Sequence, residues 1–207
     1  QKNVKNPPME IRLAQAGLSV SKKQFYIYSA LTGLAVFVLM YFFSTMGLLL
    51  AVPAAGAAGF GVPRWVVNYL KKKREAKFLN ELPNAIDVIT RGVKAGLPIG
   101  DCIRIIANET VEPVKSEFRQ IAEGQAVGMS LSESASKMYE RVPLPESNFF
   151  GIVLTIQQQA GGNLAEALGN LSRVLRERKK MKAKIQAMSM EAKASAGIIA
   201  SLPFVVM

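Results

Sequence analysis

The hydrophobic pattern begins with a long stretch that carries no charge. Between Lys23 and Arg64, residues 24–63 contain no Asp, Glu, Lys or Arg. At about 1.5 Å per residue, a helix of this length reaches roughly twice the ~30 Å thickness of a hydrocarbon core. The pattern therefore predicts a transmembrane hairpin. Its spans are residues 25–43 and 46–66, and both of its ends lie on the same side of the membrane.

Cations flank this stretch and are missing from its turn. Lys22 and Lys23 precede the first span, and Arg64 and residues 71–74 follow the second. Because Lys and Arg are retained in the cytoplasm during insertion, both flanks are predicted to be cytoplasmic. A cleaved signal peptide is the alternative, and the unbroken second span argues against it.

After residue 77, apolar residues recur with helical spacing and are interrupted by Pro, Gly and capping residues. Six helices are predicted, near 81–95, 98–109, 113–127, 130–141, 146–160 and from 163 onward. The fold class is therefore an all-α membrane protein, with an N-terminal hairpin and a cytoplasmic six-helix bundle. Residues 149–154 are apolar all round, which predicts that their helix lies in the middle of the bundle.

Three helix junctions share one local chemistry. Each begins with a Gly that suits the left-handed conformation ending a helix, and Ser130 and Asn163 have an acid three residues later, as in a capping box. The junctions predict that the six helices pair as three hairpins. A helical repeat also fits the glycine spacing, but shared capping chemistry suffices to produce it. The junction residues are Gly96, Gly128, Ser130, Glu133, Gly161, Gly162, Asn163 and Glu166.

The last helix is predicted to leave the bundle. Its core stripe ends at Leu175, and beyond Arg176 a second apolar stripe runs from Met181 through Ile185 and Met188. Residues 194–207 are apolar but too few to cross a bilayer, so they predict the start of a third, cut span. The basic residues expected to couple the bundle to the membrane are Arg173, Arg176, Arg178, Lys179 and Lys180. The predicted divisions are 1–24 with a short amphipathic helix, 25–67, a basic linker at 68–80, 81–190 and 191–207.

The charge distribution excludes a nucleic-acid-binding module. The formal charge is +11, but residues 77–170 carry eight cations against eleven acids, so the surplus lies at the two ends next to the predicted membrane. This placement suits anionic membrane lipids as partners.

The chain has one cysteine, Cys102, and no histidine. The sequence also contains no phosphate-binding loop, no Gly-x-Ser-x-Gly motif and no acidic cluster spaced as metal ligands. No disulfide, metal site, cofactor or catalytic centre is therefore expected, and the protein is predicted not to be an enzyme.

Small residues recur every fourth position on the second predicted span. They are Gly47, Ala51, Ala55 and Gly59. Such a ladder allows another helix to approach closely. The partner is either the first span of the same hairpin or a helix of a neighbouring subunit.

The order of these parts resembles the type II secretion system F-domain family of platform proteins, and within it the tight-adherence (Tad/Flp) pilus branch. The similar segments are 161–168, 171–178, Leu82-Pro83, 92–96 and 13–18. The resemblance covers nearly the whole chain. The C-terminal hairpin typical of the family does not follow within the sequence.

The resemblance implies a multi-pass platform in the bacterial inner membrane that couples a cytoplasmic ATPase to pilin extraction and pilus assembly. The implied partners are a hexameric secretion ATPase, a TadC-like platform subunit and pilin, in a homo- or hetero-oligomer. A static membrane-tethered adaptor is the alternative from another class. A lipid-binding regulator is a third and rests on the basic segment alone.

Overall fold

The computed structural model describes residues 8–18, 22–43, 48–160 and 164–206. Within these ranges every regular element is a helix, which confirms the all-α part of the predicted class. None of the helices in this described part is both long enough and apolar enough to count as a membrane span. The helices are α1 (Met9–Gln15), α2 (Lys22–Phe43), α3 (Leu48–Lys94), α4 (Ile99–Glu109), α5 (Val114–Ala126), α6 (Leu131–Arg141), α7 (Pro145–Ala160) and α8 (Leu164–Val206).

Helix α3 runs without interruption through 47 residues. The sequence predicts three pieces here, a span, a linker at 68–80 and a bundle helix beginning at 81, but no helix end separates them. Residues 68–80 are mostly good helix formers, and Lys71 Nζ lies 3.7 Å from Glu75 Oε1. Pro63 and Pro83 lie inside α3 without ending it. One continuous helix therefore joins the charge-free N-terminal stretch to the bundle.

The bundle core lies between the C-terminal half of α3 and helices α4 to α8. On α3 its members recur every three to four residues, which places them on one face of the helix. They are Phe78, Leu82, Ile86 and Ile89, all fully buried. Phe118 of α5 and Phe150 of α7 meet across the core with ring centroids 5.8 Å apart. Each such side chain contributes about 1.5–3 kcal/mol through burial, so this core holds the bundle together.

The bundle helices do not pair as the junction chemistry predicts. The most extensive packing joins α4 to α5, α6 to α7 and α3 to α8. Helices α3 and α8 are antiparallel, because Gly169 approaches Thr90 whereas Lys179 reaches the carbonyl of Asn80. A glycine junction determines where a helix ends, whereas apolar faces determine which helices pack together. The glycine junctions predict that α3 pairs with α4, α5 with α6 and α7 with α8, and this prediction is therefore wrong.

Helix α7 lies at the side of the bundle rather than in its middle. Phe150 and Leu154 are buried, but Phe149, Ile152 and Ile156 on the opposite face are 40–52% exposed. The prediction that this helix lies in the middle of the bundle is wrong, because only one face of α7 packs against the core.

Helix α2 packs along the N-terminal half of α3. A Cβ at Gly59 would lie 3.3 Å from the Cα of Gly33, and the Ser29 hydroxyl donates a hydrogen bond to the Gly59 carbonyl. Helix α1 lies beside this hairpin, with Leu13 in a small cluster that includes Phe25 and Val67. Helices α1 and α2 thus both pack against α3.

Candidate coupling site

Glu117, in the first turn of α5, is a fully buried carboxylate. Its Oε1 lies 2.8 Å from Nη2 of Arg74 on α3, and its Oε2 lies 2.7 Å from Nε of Arg141 at the end of α6. Removing a carboxylate from water costs several kcal/mol, and two charge-assisted hydrogen bonds offset much of this cost. Three helices therefore meet at one carboxylate.

Arg74 also holds the end of α1. Its Nη1 donates hydrogen bonds to the carbonyls of Ala14 at 3.0 Å and Gln15 at 3.3 Å. The guanidinium thus lies at the C-terminal end of α1, where the helix dipole favours a cation. Gly17 follows with φ +74°, and a Cβ there would lie 3.2 Å from Cδ of Arg74. The side chain that pairs with Glu117 therefore also fixes α1 on α3.

A second contact joins α1 to α6. Gln15 is buried, and its Nε2 donates a hydrogen bond of 2.9 Å to the carbonyl of Glu140. We refer to Gln15, Arg74, Glu117 and Arg141 as the clasp. The clasp connects α1, the middle of α3 and the bundle helices α5 and α6. On α3 it lies between the charge-free stretch, which ends at residue 63, and the bundle core, which begins at Phe78.

The sequence of α5 contains a signal for the clasp, although none of the predicted site residues belongs to it. Glu117 lies on the same helical face as Val114, Phe118 and Ile121, all of which are buried. An acidic residue within an apolar stripe requires partners, because an unpaired buried charge is strongly unfavourable. The stripe therefore indicates a buried ion pair, although it does not identify Arg74, 43 residues earlier, as a partner.

Polar contacts also tie α8 to α3. Ser172, buried on α8, donates its hydroxyl hydrogen to the carboxylate of Asp87 at 2.5 Å, and its Oγ also lies 3.3 Å from the Pro83 carbonyl oxygen. Arg176 pairs with the same Asp87 carboxylate and reaches Oδ1 of Asn84 at 3.3 Å. These contacts fix the rotation of α8 about its axis relative to α3.

The predicted basic coupling residues are divided among three surroundings. Arg176 and Lys179 contact α3, and Arg178 pairs with Glu146 of α7 at 3.3 Å. Arg173 and Lys180 are exposed. Because α3 and α8 are antiparallel, residues 71–77 and 179–184 lie toward the same end of the bundle. Near this end, partial burial raises the pKa of Glu75, although Lys71 and Lys72 act in the opposite direction.

The junction residues are described in part. Gly96 and Gly128 adopt φ values of +87° and +89°, in the left-handed region. Ser130 caps α6, because its Oγ accepts a hydrogen bond of 3.1 Å from the Glu133 N–H. Glu166 lies in the first turn of α8. Gly161, Gly162 and Asn163 lie outside the described residues.

The predicted ladder of small residues is also described in part. Gly47 lies outside the described residues, and Ala51 and Ala55 lie on α3 with side chains outside the described part. Gly59 contacts α2 of the same chain. At this position the partner is therefore the first helix of the hairpin.

Cys102 is buried against Gly92, and burial raises the pKa of its thiol. A Cβ at Gly92 would lie 2.4 Å from its Sγ. Cys102 thus fills space between α3 and α4. Among the described residues, no group of three or more Cys, Asp or Glu side chains is arranged to hold a metal ion.

Comparison with known proteins identifies the family of this chain. Residues 85–207 match the family model described as type II secretion system (T2SS), protein F. The matched region begins within α3 and includes the whole of α4 to α8. No curated protein and no solved structure matches the chain.

Proposed function

Since this chain belongs to the type II secretion system protein F family, we propose that it is a TadB-type platform subunit of a Tad/Flp pilus machine. Proteins of the family are inner-membrane platform proteins of secretion and pilus-assembly machines and are not enzymes. In the proposed role, the subunit couples a hexameric cytoplasmic ATPase to extraction of pilin from the membrane. A TadC-like subunit completes the platform.

We propose that α2 and the N-terminal part of α3 form a transmembrane hairpin. Residues 24–63 contain no charged side chain, and cations flank both ends. Apolar and aromatic side chains of α2 point away from the protein, with 48–67% of their surface exposed. They are Tyr26, Ile27, Tyr28, Leu31, Leu34 and Val38. A lipid environment would remove this surface from water. The C-terminal part of α8, from about residue 191, would begin a third span.

The continuity of α3 is the observation that carries the coupling role. This helix runs through the proposed hairpin and into the bundle core, where Phe78 and Ile89 are fully buried. The clasp fixes its middle to α1, α5 and α6, and α8 is bound to it through Asp87. A rotation or tilt of the bundle would therefore also move α3 and α8, the two helices that extend from the bundle toward the membrane.

The direct test is purification of the full-length protein from detergent-solubilised membranes, with identification of the retained proteins by mass spectrometry. Recovery of a secretion ATPase and a second F-domain protein would support the platform role. The ATPase turnover, measured with and without the platform, then separates the two function classes. A change in turnover is expected for a platform, whereas binding without any change would favour a static adaptor. Reproducible absence of both proteins would contradict the proposal.

A further inference from the structure

Helix α8 carries an apolar seam along the part that extends beyond the bundle. Val174, Met181, Ile185 and Met188 are 47–66% exposed. The steps from 181 to 185, 188 and 192 are four, three and four residues, the spacing of heptad d and a positions. Val174 lies one heptad before Met181. The seam therefore runs straight along one face for more than two heptads.

No neighbouring helix covers this seam in the described part of the chain. Every described side chain from 176 to 195 is exposed, although α8 remains helical through this whole region. At its N-terminal end the seam continues into an apolar groove between α7 and α8, lined by Phe149, Leu171 and Val174. Apolar surface of this length on a protruding helix indicates a partner helix.

We propose that α8 pairs along this seam with α8 of a second copy of the chain, as a parallel two-stranded coiled coil. One pair of opposite charges at the edges of the seam suits this occupant. With Ile185 at position a, Glu177 is at g and Lys182 is at e of the following heptad. In a parallel pair, a g residue of one helix faces that e residue of the other. Glu177 of each copy thus faces Lys182 of the second copy, giving two opposite-charge contacts related by twofold symmetry.

The parallel direction rests on the proposed function, because two copies anchored in one membrane send α8 toward it in the same direction. The seam itself indicates a weak pair. Two of its residues are Met, which adapts to many partners, and Arg178 occupies a seam position. Arg178 is drawn aside by its contact with Glu146 of α7. The membrane would offset this weakness by holding the copies at a high effective concentration.

Cysteine cross-linking in native membranes tests the pairing, using full-length protein with Cys102→Ala as background. Met181→Cys, Ile185→Cys and Met188→Cys lie on the seam, and Ala183→Cys and Ala187→Cys are matched controls off it. In a parallel pair each seam residue faces its own counterpart. Each seam variant alone is therefore expected to form disulfide-linked dimers under mild oxidation, at several-fold higher yield than the controls.

Equal yields at seam and control positions, or no dimers at all, would overturn the proposal. Dimers that require mixing Met181→Cys with Ala192→Cys, and that do not form from either alone, would show an antiparallel pair and overturn it too. If the ATPase still co-purifies in either case, the platform role stands and only the pairing is wrong.

A charge exchange tests the partner contact itself. Glu177→Lys and Lys182→Glu are each expected to lower the dimer yield of Met181→Cys several-fold, since each places like charges opposite one another. The double substitution exchanges the two charges and should restore the yield. Glu191→Lys also removes an acid from α8, but the facing position is Ala196, so little change is expected. A double variant that dimerises no better than the single ones would contradict the proposed register.

Discussion

Arg74 Nη2 lies 2.8 Å from Oε1 of the buried carboxylate of Glu117, so the middle of α3 is fixed to the start of α5. The same guanidinium holds the last carbonyls of α1. Because α3 is a single helix, this contact also fixes the proposed membrane hairpin relative to the bundle. The clasp thus joins the two regions at the level where α3 passes from one to the other.

Glu117→Gln is expected to destabilise the protein by about 3 kcal/mol, the lower end of the range for breaking a buried ion pair. The substitution leaves Arg74 and Arg141 without a carboxylate, but both are partly exposed and can recover some hydration. Thermal unfolding of the full-length protein in detergent, followed by circular dichroism, measures the effect.

Glu123→Gln is the control for this substitution. It neutralises an exposed acid on the same helix, and it should change stability by less than about 0.5 kcal/mol. Equal unfolding temperatures for the two variants would show that the buried carboxylate contributes nothing to stability.

Gly92→Ala is expected to destabilise the protein by about 1–3 kcal/mol, although alanine usually favours a helix. The new Cβ would lie 2.4 Å from Sγ of Cys102, so α3 and α4 would have to separate. Combining it with Cys102→Ala removes the clash, and the double variant should be more stable than the sum of the single effects predicts. Chemical denaturation of all four proteins measures the coupling, and strict additivity would contradict the contact.

The thiol of Cys102 is expected to react slowly in the folded protein. Burial restricts access and raises the pKa, so the thiolate fraction at a given pH is lower than that of a free cysteine. Alkylation should therefore be slow at pH 8, rise only at higher pH and become fast on unfolding. Lys180→Cys in a Cys102→Ala background serves as the exposed comparison. Similar rates for both thiols in the folded state would contradict the burial of Cys102.

Local chemistry in the sequence predicted the bundle helices well. Pro98 and Ser130 mark the starts of α4 and α6, and Gly96 and Gly128 have the expected left-handed conformation, because these features depend on a few adjacent residues. The six expected helices all correspond to helical segments in the described part of the chain.

Long-range features were harder to predict. Within the bundle, α3 packs mainly against α8, because apolar faces that are far apart in sequence meet there. The basic segment 68–80 predicted a linker, yet it is part of the continuous helix α3, which packs on α8 and α1. The partner of Glu117 depends on the assembled fold, so the clasp became visible only in three dimensions.

The central claim is that movement of the bundle reaches the membrane through continuous helices. Replacing Lys179-Lys180 by Gly-Pro interrupts α8 at the end of its contacts with α3, where Lys179 reaches the Asn80 carbonyl. Ala-Ala at the same positions removes the charges and this contact but preserves the helix. The most direct measurement is pilus assembly by cells that carry each variant, with membrane insertion verified in both. The account predicts loss of pili with Gly-Pro and retention of most assembly with Ala-Ala. Full assembly with Gly-Pro would contradict it.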